Sequence, residues 1–315
     1  MKLHRSTFLA VILSIGLTAT PQGGKNLADR LGYPHDAKLL LIHADDMGLS
    51  HSVNTAVIKA FDCGGITSGS IMVPCPWARE IEKYVKDHPT LDVGIHLTMT
   101  AEWENYKWGG ISPSDQIPSL LDREGDFYAT VEDLGKVAKG EEARKELKAQ
   151  IEKAIAAGVH PTHLDTHMGS VLANPALVKV YLELSAEYGL PVLFPRAYVA
   201  MLPPDVGKTF GNSVFLLDNL FMIDRSMIRG NWIDPYKAAI ENLKPGLNQI
   251  IVHLGTDNDE MKAICSGHDD YGSAWRQKDL DMVTSKEFSD LLKKNKVVLV
   301  TWKQIRDVMK DPDQK

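Results

Sequence analysis

The chain has 315 residues, 44% hydrophobic and 24% charged, a balance that suits a soluble globular protein with an ample core. A formal charge of -6 offers no broad basic surface to a phosphate backbone, so nucleic acid is excluded as an expected partner and a small neutral or cationic substrate fits better.

In chain order, Lys2, His4 and Arg5 precede an apolar run over residues 8–17, followed by Thr18, Ala19 and Thr20. That pattern reads as a secretory signal peptide cut near Ala19, with residues 1–20 as leader and 21–315 as one domain working outside the cytoplasm. The competing reading is an apolar first helix. The run is too short for an ordinary membrane span, so no span is expected in the mature form. Cys63, Cys75 and Cys265 are odd in number and lack CxxC spacing, so at most one disulfide can form within the chain and at least one thiol stays free.

Short apolar runs predict buried strands at residues 38–43, 69–73, 93–97, 192–194, 249–254 and 297–301, and residues 163–167 read as a further contributing strand. Helical periodicity falls at residues 53–61, 78–86, 134–157, 175–188 and 285–294, with Ser52 or Asn174 as caps ahead and Gly158 or Gly189 behind. Alternating strands and helices imply a mainly parallel α/β sheet or barrel. Residues 103–128 and 197–232 break the repeat and read as insertions over one end, equally compatible with surface packing, a subunit contact or a substrate-shaping loop.

A barrel places its working groups at the carboxyl ends of its strands. Asp45 and Asp46 follow the first strand, His96 ends the 93–97 run, and His253 ends the 249–254 run. Two adjacent carboxylates there are costly unless a cation or a proton compensates them, although such pairs also occur in turns and caps. In His163-Leu164-Asp165-Thr166-His167, strand alternation puts His163, Asp165 and His167 on one face, about 7 Å apart in succession. One carboxylate and two imidazoles from three strand ends make a three-ligand site with open positions, as expected of a catalytic zinc-type metal. The residue pattern by itself does not separate Asp45 from Asp46 in role.

These motifs resemble the YdjC-like carbohydrate deacetylases, which include chitooligosaccharide deacetylase and sit in the wider polysaccharide deacetylase superfamily. The resemblance runs from about Leu39 to Trp302. It is carried by Ala44-Asp45-Asp46-Met47-Gly48-Leu49-Ser50, Asn54, Gly64-Gly65-Ile66-Thr67-Ser68, Gly94-Ile95-His96-Leu97-Thr98, Pro161 through His167, Val252-His253-Leu254-Gly255, and Arg276 with Asp281-Met282-Val283-Thr284-Ser285. It implies a distorted (β/α) TIM-like barrel with Asp46, His96 and His167 as metal ligands, Asp45 as catalytic base, and His253 as acid or substrate contact. Asp165, His163 and Arg276 follow as supporting or substrate residues, with Arg276 orienting Asp45 or a loop. Met47 stands where the family usually has Phe, and Gly169 where it usually has a further histidine.

The implied activity is metal-dependent removal of an acetyl group from the amide nitrogen of an N-acetylated mono- or oligosaccharide. One divalent ion is expected, zinc first and magnesium or another as alternates, and a homodimer stays open. Against these stand plainer readings: His253 as a bridge to a loop, His163 as a structural histidine, Arg276 as a surface ion pair with Asp269, Asp270 or Asp279, and Trp77, Trp103 and Trp108 as packing. Two other functions remain, a metal hydrolase of another bond such as a phosphate ester or non-sugar amide, and a catalytically silent carbohydrate-binding relative.

Overall fold

The structure is a computed structural model that describes residues 25–199 and 216–310. The leader assigned to residues 1–20 lies outside them, as does the middle of the 197–232 segment. The strands are β1 (Lys38–Met47), β2 (Ser68–Ile71), β3 (Val93–Leu97), β4 (Leu164–Thr166), β5 (Asn219–Met222), β6 (Gly246–Val252) and β7 (Val298–Leu299). All pair in parallel in the order β4-β3-β2-β1-β6-β5, and β7 joins at the foot of β1 beside Leu39 and Leu40. Single bridges Leu164↔Val192 and Pro195↔Leu217 carry the pairing from β4 toward β5, through Leu193 N–H to Leu164 O at 3.0 Å and Leu217 N–H to Phe194 O at 3.0 Å. The ring of hydrogen bonds thus runs all the way round, as a distorted (β/α) barrel. The strand expected at 192–194 is reduced to these bridges.

β1 shows how the chain sorts its side chains. Every residue after Lys38 is buried, because helices cover one face and the barrel interior the other, which is why the strand reads as an unbroken apolar run. Leu40, Ile42 and Ala44 join the cluster between sheet and helices, whereas Leu39 and Leu41 meet Leu193, Leu247, Ile251, Val300 and Trp302 in a second, interior cluster. Each fully buried Leu or Ile contributes about 1.5–3 kcal/mol relative to exposure. Above this apolar floor the inward positions turn polar, with His43 on β1 and Ser68 and Ser70 on β2, all fully buried.

Several expected boundaries shift for identifiable reasons. The helix His51–Asp62 is capped by Ser50, whose Oγ accepts from Val53 N–H, and not by Ser52. The helix expected over 134–157 divides into Val131–Val137 and Gly140–Ala156, with Ala138 and Lys139 extended and the Asn174 amide donating to the freed Gly135 and Ala138 carbonyls at 3.3 Å. The helix Pro175–Tyr188 stands as expected, with Asn174 ahead and Gly189 behind in the left-handed region at φ 61. Segment 103–128 folds inward, since Trp103, Trp108, Ile117, Leu120 and Phe127 are buried in the main core. Segment 197–232 is not wholly an insertion, for it contains β5, a barrel strand of four residues, Asn219-Leu220-Phe221-Met222, of which Asn219 and Leu220 face solvent. All three cysteines are free. No helix of the described residues is long and apolar enough to cross a membrane.

Candidate metal centre and catalytic carboxylates

Successive residues of a regular strand face opposite sides, so Asp45 and Asp46 cannot both look inward without a break in β1. The break is present. The register slips between Ala44 and Met47, and Asp46 adopts φ 68, a left-handed conformation that a non-glycine residue holds only when its surroundings over-determine it. Asp45 keeps the inward alternation of Leu39, Leu41 and His43, and the twist at Asp46 turns the second carboxylate into the same space. Met47 then packs its sulfur over Gly69, where a Cβ would come within 2.6 Å of it.

The barrel brings Asp46, His96 and His167 together, with one donor atom from each lying within 4.8 Å of the others. His167 Nδ1 stands 3.3 Å and His96 Nε2 3.4 Å from Asp46 Oδ1. The outer nitrogens are committed elsewhere. His96 Nδ1 is 2.8 Å from Asp165 Oδ1 and His167 Nε2 is 2.9 Å from Glu102 Oε2. A carboxylate only accepts, so each outer nitrogen carries the hydrogen and each inner nitrogen, in the neutral ring, presents a lone pair to the centre. His96 Nε2 and Asp46 Oδ1 are buried without any hydrogen-bond partner. Buried donor atoms left unpaired and converging are what a transition-metal ion would satisfy, so the residues fit such an ion.

Asp46 is held from behind by Arg276, whose Nη2–H donates to Oδ2 at 2.7 Å. Arg276 is 1% exposed, and its Nε–H donates to Tyr271 O at 2.7 Å. The surface ion pair expected for it is therefore replaced by a buried one, and the carboxylate it orients is Asp46 and not Asp45. Burial works to raise Asp46, yet the Arg276 guanidinium and the His167 and His96 rings hold it well below the usual carboxylate range. Asp279, expected as a surface partner of Arg276, is buried and accepts from Trp232 Nε1 at 2.8 Å, Tyr236 Oη at 2.6 Å and the His253 backbone N–H at 3.0 Å.

Asp45 lies beside this centre with Oδ2 3.8 Å from His96 Nε2 and 3.9 Å from His253 Nε2. Burial pushes its carboxyl up to about 6, against the pull of His96 and His43. His253 is lowered to about 3, chiefly by burial, so it stands neutral at pH 7 and can donate a proton only after collecting one. Asp165 is oriented by two imidazoles, since Oδ2 accepts from His43 Nε2 at 2.8 Å and from Ser70 Oγ at 2.8 Å while Oδ1 serves His96. His163 faces inward as alternation requires but lies below the centre, its Nδ1 2.9 Å from Thr162 Oγ1 and its ring stacked on Trp302 at 5.2 Å.

Three participants escape the sequence reading. His43 had a usable signal, because period-2 alternation sets it on the face of Asp45. Ser70 carried the weaker version of that signal, two residues from Ser68 in a short strand. Glu102 had none, since it reaches His167 from an irregular loop. Of the tryptophans, Trp103 and Trp108 are buried and only Trp77 keeps substantial exposure, 39%.

The YdjC-like protein family profile matches residues 39–294. A carbohydrate deacetylase of Thermus thermophilus is 32% identical over 251 residues, covering 76% of this chain and 85% of that protein. A carbohydrate deacetylase of Brevibacillus brevis is 38% identical over 156 residues, 50% of this chain and 59% of that protein. Among solved structures, a protein of Enterococcus faecalis V583 assigned to cellobiose-phosphate cleavage superposes with a TM-score of 0.69 at 23% identity, covering 85% of this chain and 99% of that one.

Proposed function

Because the chain belongs to the YdjC-like family, we propose that it is a metal-dependent carbohydrate deacetylase that hydrolyses the acetamide of an N-acetylated sugar. The observation that carries this reading is the pairing of two differently tuned carboxyls, Asp46 ionised among His96, His167 and Arg276, and Asp45 raised toward neutrality beside them. Names of relatives support the substrate class, and the donor set supports a transition ion, zinc before magnesium, because two of three ligands are imidazoles.

Asp46, His96 and His167 would hold the ion, which supplies positive charge to polarise the acyl oxygen and to acidify a water. Asp45 is the base. The water oxygen adds to the carbonyl carbon and its proton passes to Asp45 Oδ2. The C–N bond then breaks, the sugar nitrogen takes that proton from Asp45 or across the neutral His253, and an amine leaves with acetic acid, whose remaining water proton passes to the amine or solvent to give acetate. Asp165 and Glu102 keep the two imidazoles in the tautomers that face the centre. Asp279 fixes His253 through its backbone. Attack on a phosphate ester or another amide would use the same groups, so the substrate decides.

The test is acetate release by protein stripped of metal and reloaded with zinc, nickel, cobalt or magnesium, on N-acetylglucosamine oligomers of several lengths. Acetate only with metal, lost in Asp45→Asn, supports the reading; tight metal binding with no acetate from any sugar sinks it. Export belongs to the same proposal, resting on the Lys2-to-Thr20 pattern. A secreted product whose N-terminus begins near residue 20 is the expected result, and an intact Met1 in cytosolic protein overturns it.

A further inference from the structure

The reaction above leaves two buried histidines, His43 and His163, without a task, and His43 is the one that touches the base. His43 is fully buried on β1, two residues before Asp45 on the same strand face. Its Nε2 is 2.8 Å from Asp165 Oδ2 and 3.3 Å from Asp45 Oδ1, and Nδ1 is 2.8 Å from Ser68 Oγ. His163 meets the ring edge to face at 5.0 Å. His163 in turn is pinned between Trp302 and the bare α-carbon of Gly94, where a Cβ would lie 2.5 Å from the imidazole. The His43 ring is therefore held by contacts from β2, β4 and β1 together.

Two carboxylates facing one another would repel, and here a single ring N–H lies between them. That hydrogen is aligned with Asp165, so Asp45 Oδ1 has no aligned hydrogen bond of its own and feels His43 at 3.3 Å as a positive dipole. We propose that His43 is a positioning residue for the base: it keeps Asp45 Oδ1 turned down into the barrel, so that Oδ2 is the oxygen presented to the attacking water. The same imidazole ties the base to the carboxylate that orients His96, and so couples the aim of both. The inference rests on the deacetylase reading for its kinetic arm only.

The experiment compares His43→Gln with His43→Asn, because a glutamine amide nitrogen reaches toward where Nε2 stands and an asparagine amide toward Nδ1. In metal-loaded protein the expected result for His43→Asn is a fall in kcat of about a hundredfold with KM and metal content little changed, the size of effect that a misaimed group of about 1 Å produces. His43→Gln is expected to recover most of that loss. Crystal structures of the metal-free variants give the second readout: the Asp45 carboxylate stays in place with Gln and turns with Asn. Wild-type kcat in His43→Asn, equal loss in both variants with Asp45 unmoved, or loss that tracks missing metal each overturns the proposal. Should His43→Asn fail to fold, a hundredfold loss in folded His43→Gln overturns it equally. If the wild type releases no acetate from any sugar, the functional reading fails while the Asp45 crystallographic comparison still decides the role of His43.

Discussion

Burial pushes the Asp45 carboxyl up to about 6, which keeps it ionised at neutral pH yet basic enough to take a proton. A raised carboxyl is protonated below its own value and a bound cation pulls that value down, so kcat/KM of metal-loaded protein should fall about tenfold per pH unit on an acidic limb that lies at or below about 6, and a pH–rate profile measures this directly. Asp45→Asn should cost about 10²–10⁴ in kcat while metal content stays full, since general-base catalysis supplies that range. His96 is raised well above its ordinary value and His167 to about 9, in both cases against burial, by the Asp165 and Asp45 carboxylates in the first and Glu102 and Asp46 in the second. Without metal both rings hold an extra proton at pH 7, and an ion must displace it. Metal binding should therefore release about one to two protons at pH 7 and tighten as pH rises. Calorimetric titration in buffers of different ionisation enthalpy counts those protons, and a count of zero contradicts the charged imidazoles.

At the scale of an element, β1 and β4 show what a period of two can and cannot reveal. Alternation alone sets His163, Asp165 and His167 on one inward face, as found, and the same rule places His43 beneath Asp45. It cannot show Asp46 turning inward, because that depends on a register slip and a left-handed residue that the neighbouring strands impose. Arg276 read as a surface cation because its helix, Ser273–Val283, looks polar; only packing against Trp103 and Asp46 buries it. Removing one member of a buried pair leaves a charge uncompensated, so Arg276→Met should destabilise metal-free protein by about 3–5 kcal/mol, and less when an ion neutralises Asp46. Denaturant unfolding with and without metal measures both values. Gly94→Ala drives a methyl into the His163 imidazole and should cost about 1–3 kcal/mol by overpacking, read as a lower midpoint in the same assay.

For the whole molecule, strand and helix alternation made a parallel α/β fold legible, and β1, β3 and the helix Pro175–Tyr188 lie where apolar runs and caps put them. The barrel's closure was not legible, since Val192, Pro195 and Leu217 make isolated bridges and β5 keeps two of its four residues exposed. Nor was the neutral state of His253, which burial decides once the chain has folded. The closed wall has an uneven grip. Between β1 and β6 seven residue pairs stay in register, whereas among the described residues the flank from β4 to β5 is stitched by isolated bridges at Leu164 and Leu217. Short runs of backbone hydrogen bonds mean a low local opening energy, so within the barrel wall amide deuterium should enter Leu193, Arg196 and Leu217 before it enters β1. The registered stretch ends at Ala44, so Asp45 and Asp46 stand just beyond its stiff end, and Asp165 hangs on the strand that borders the looser seam.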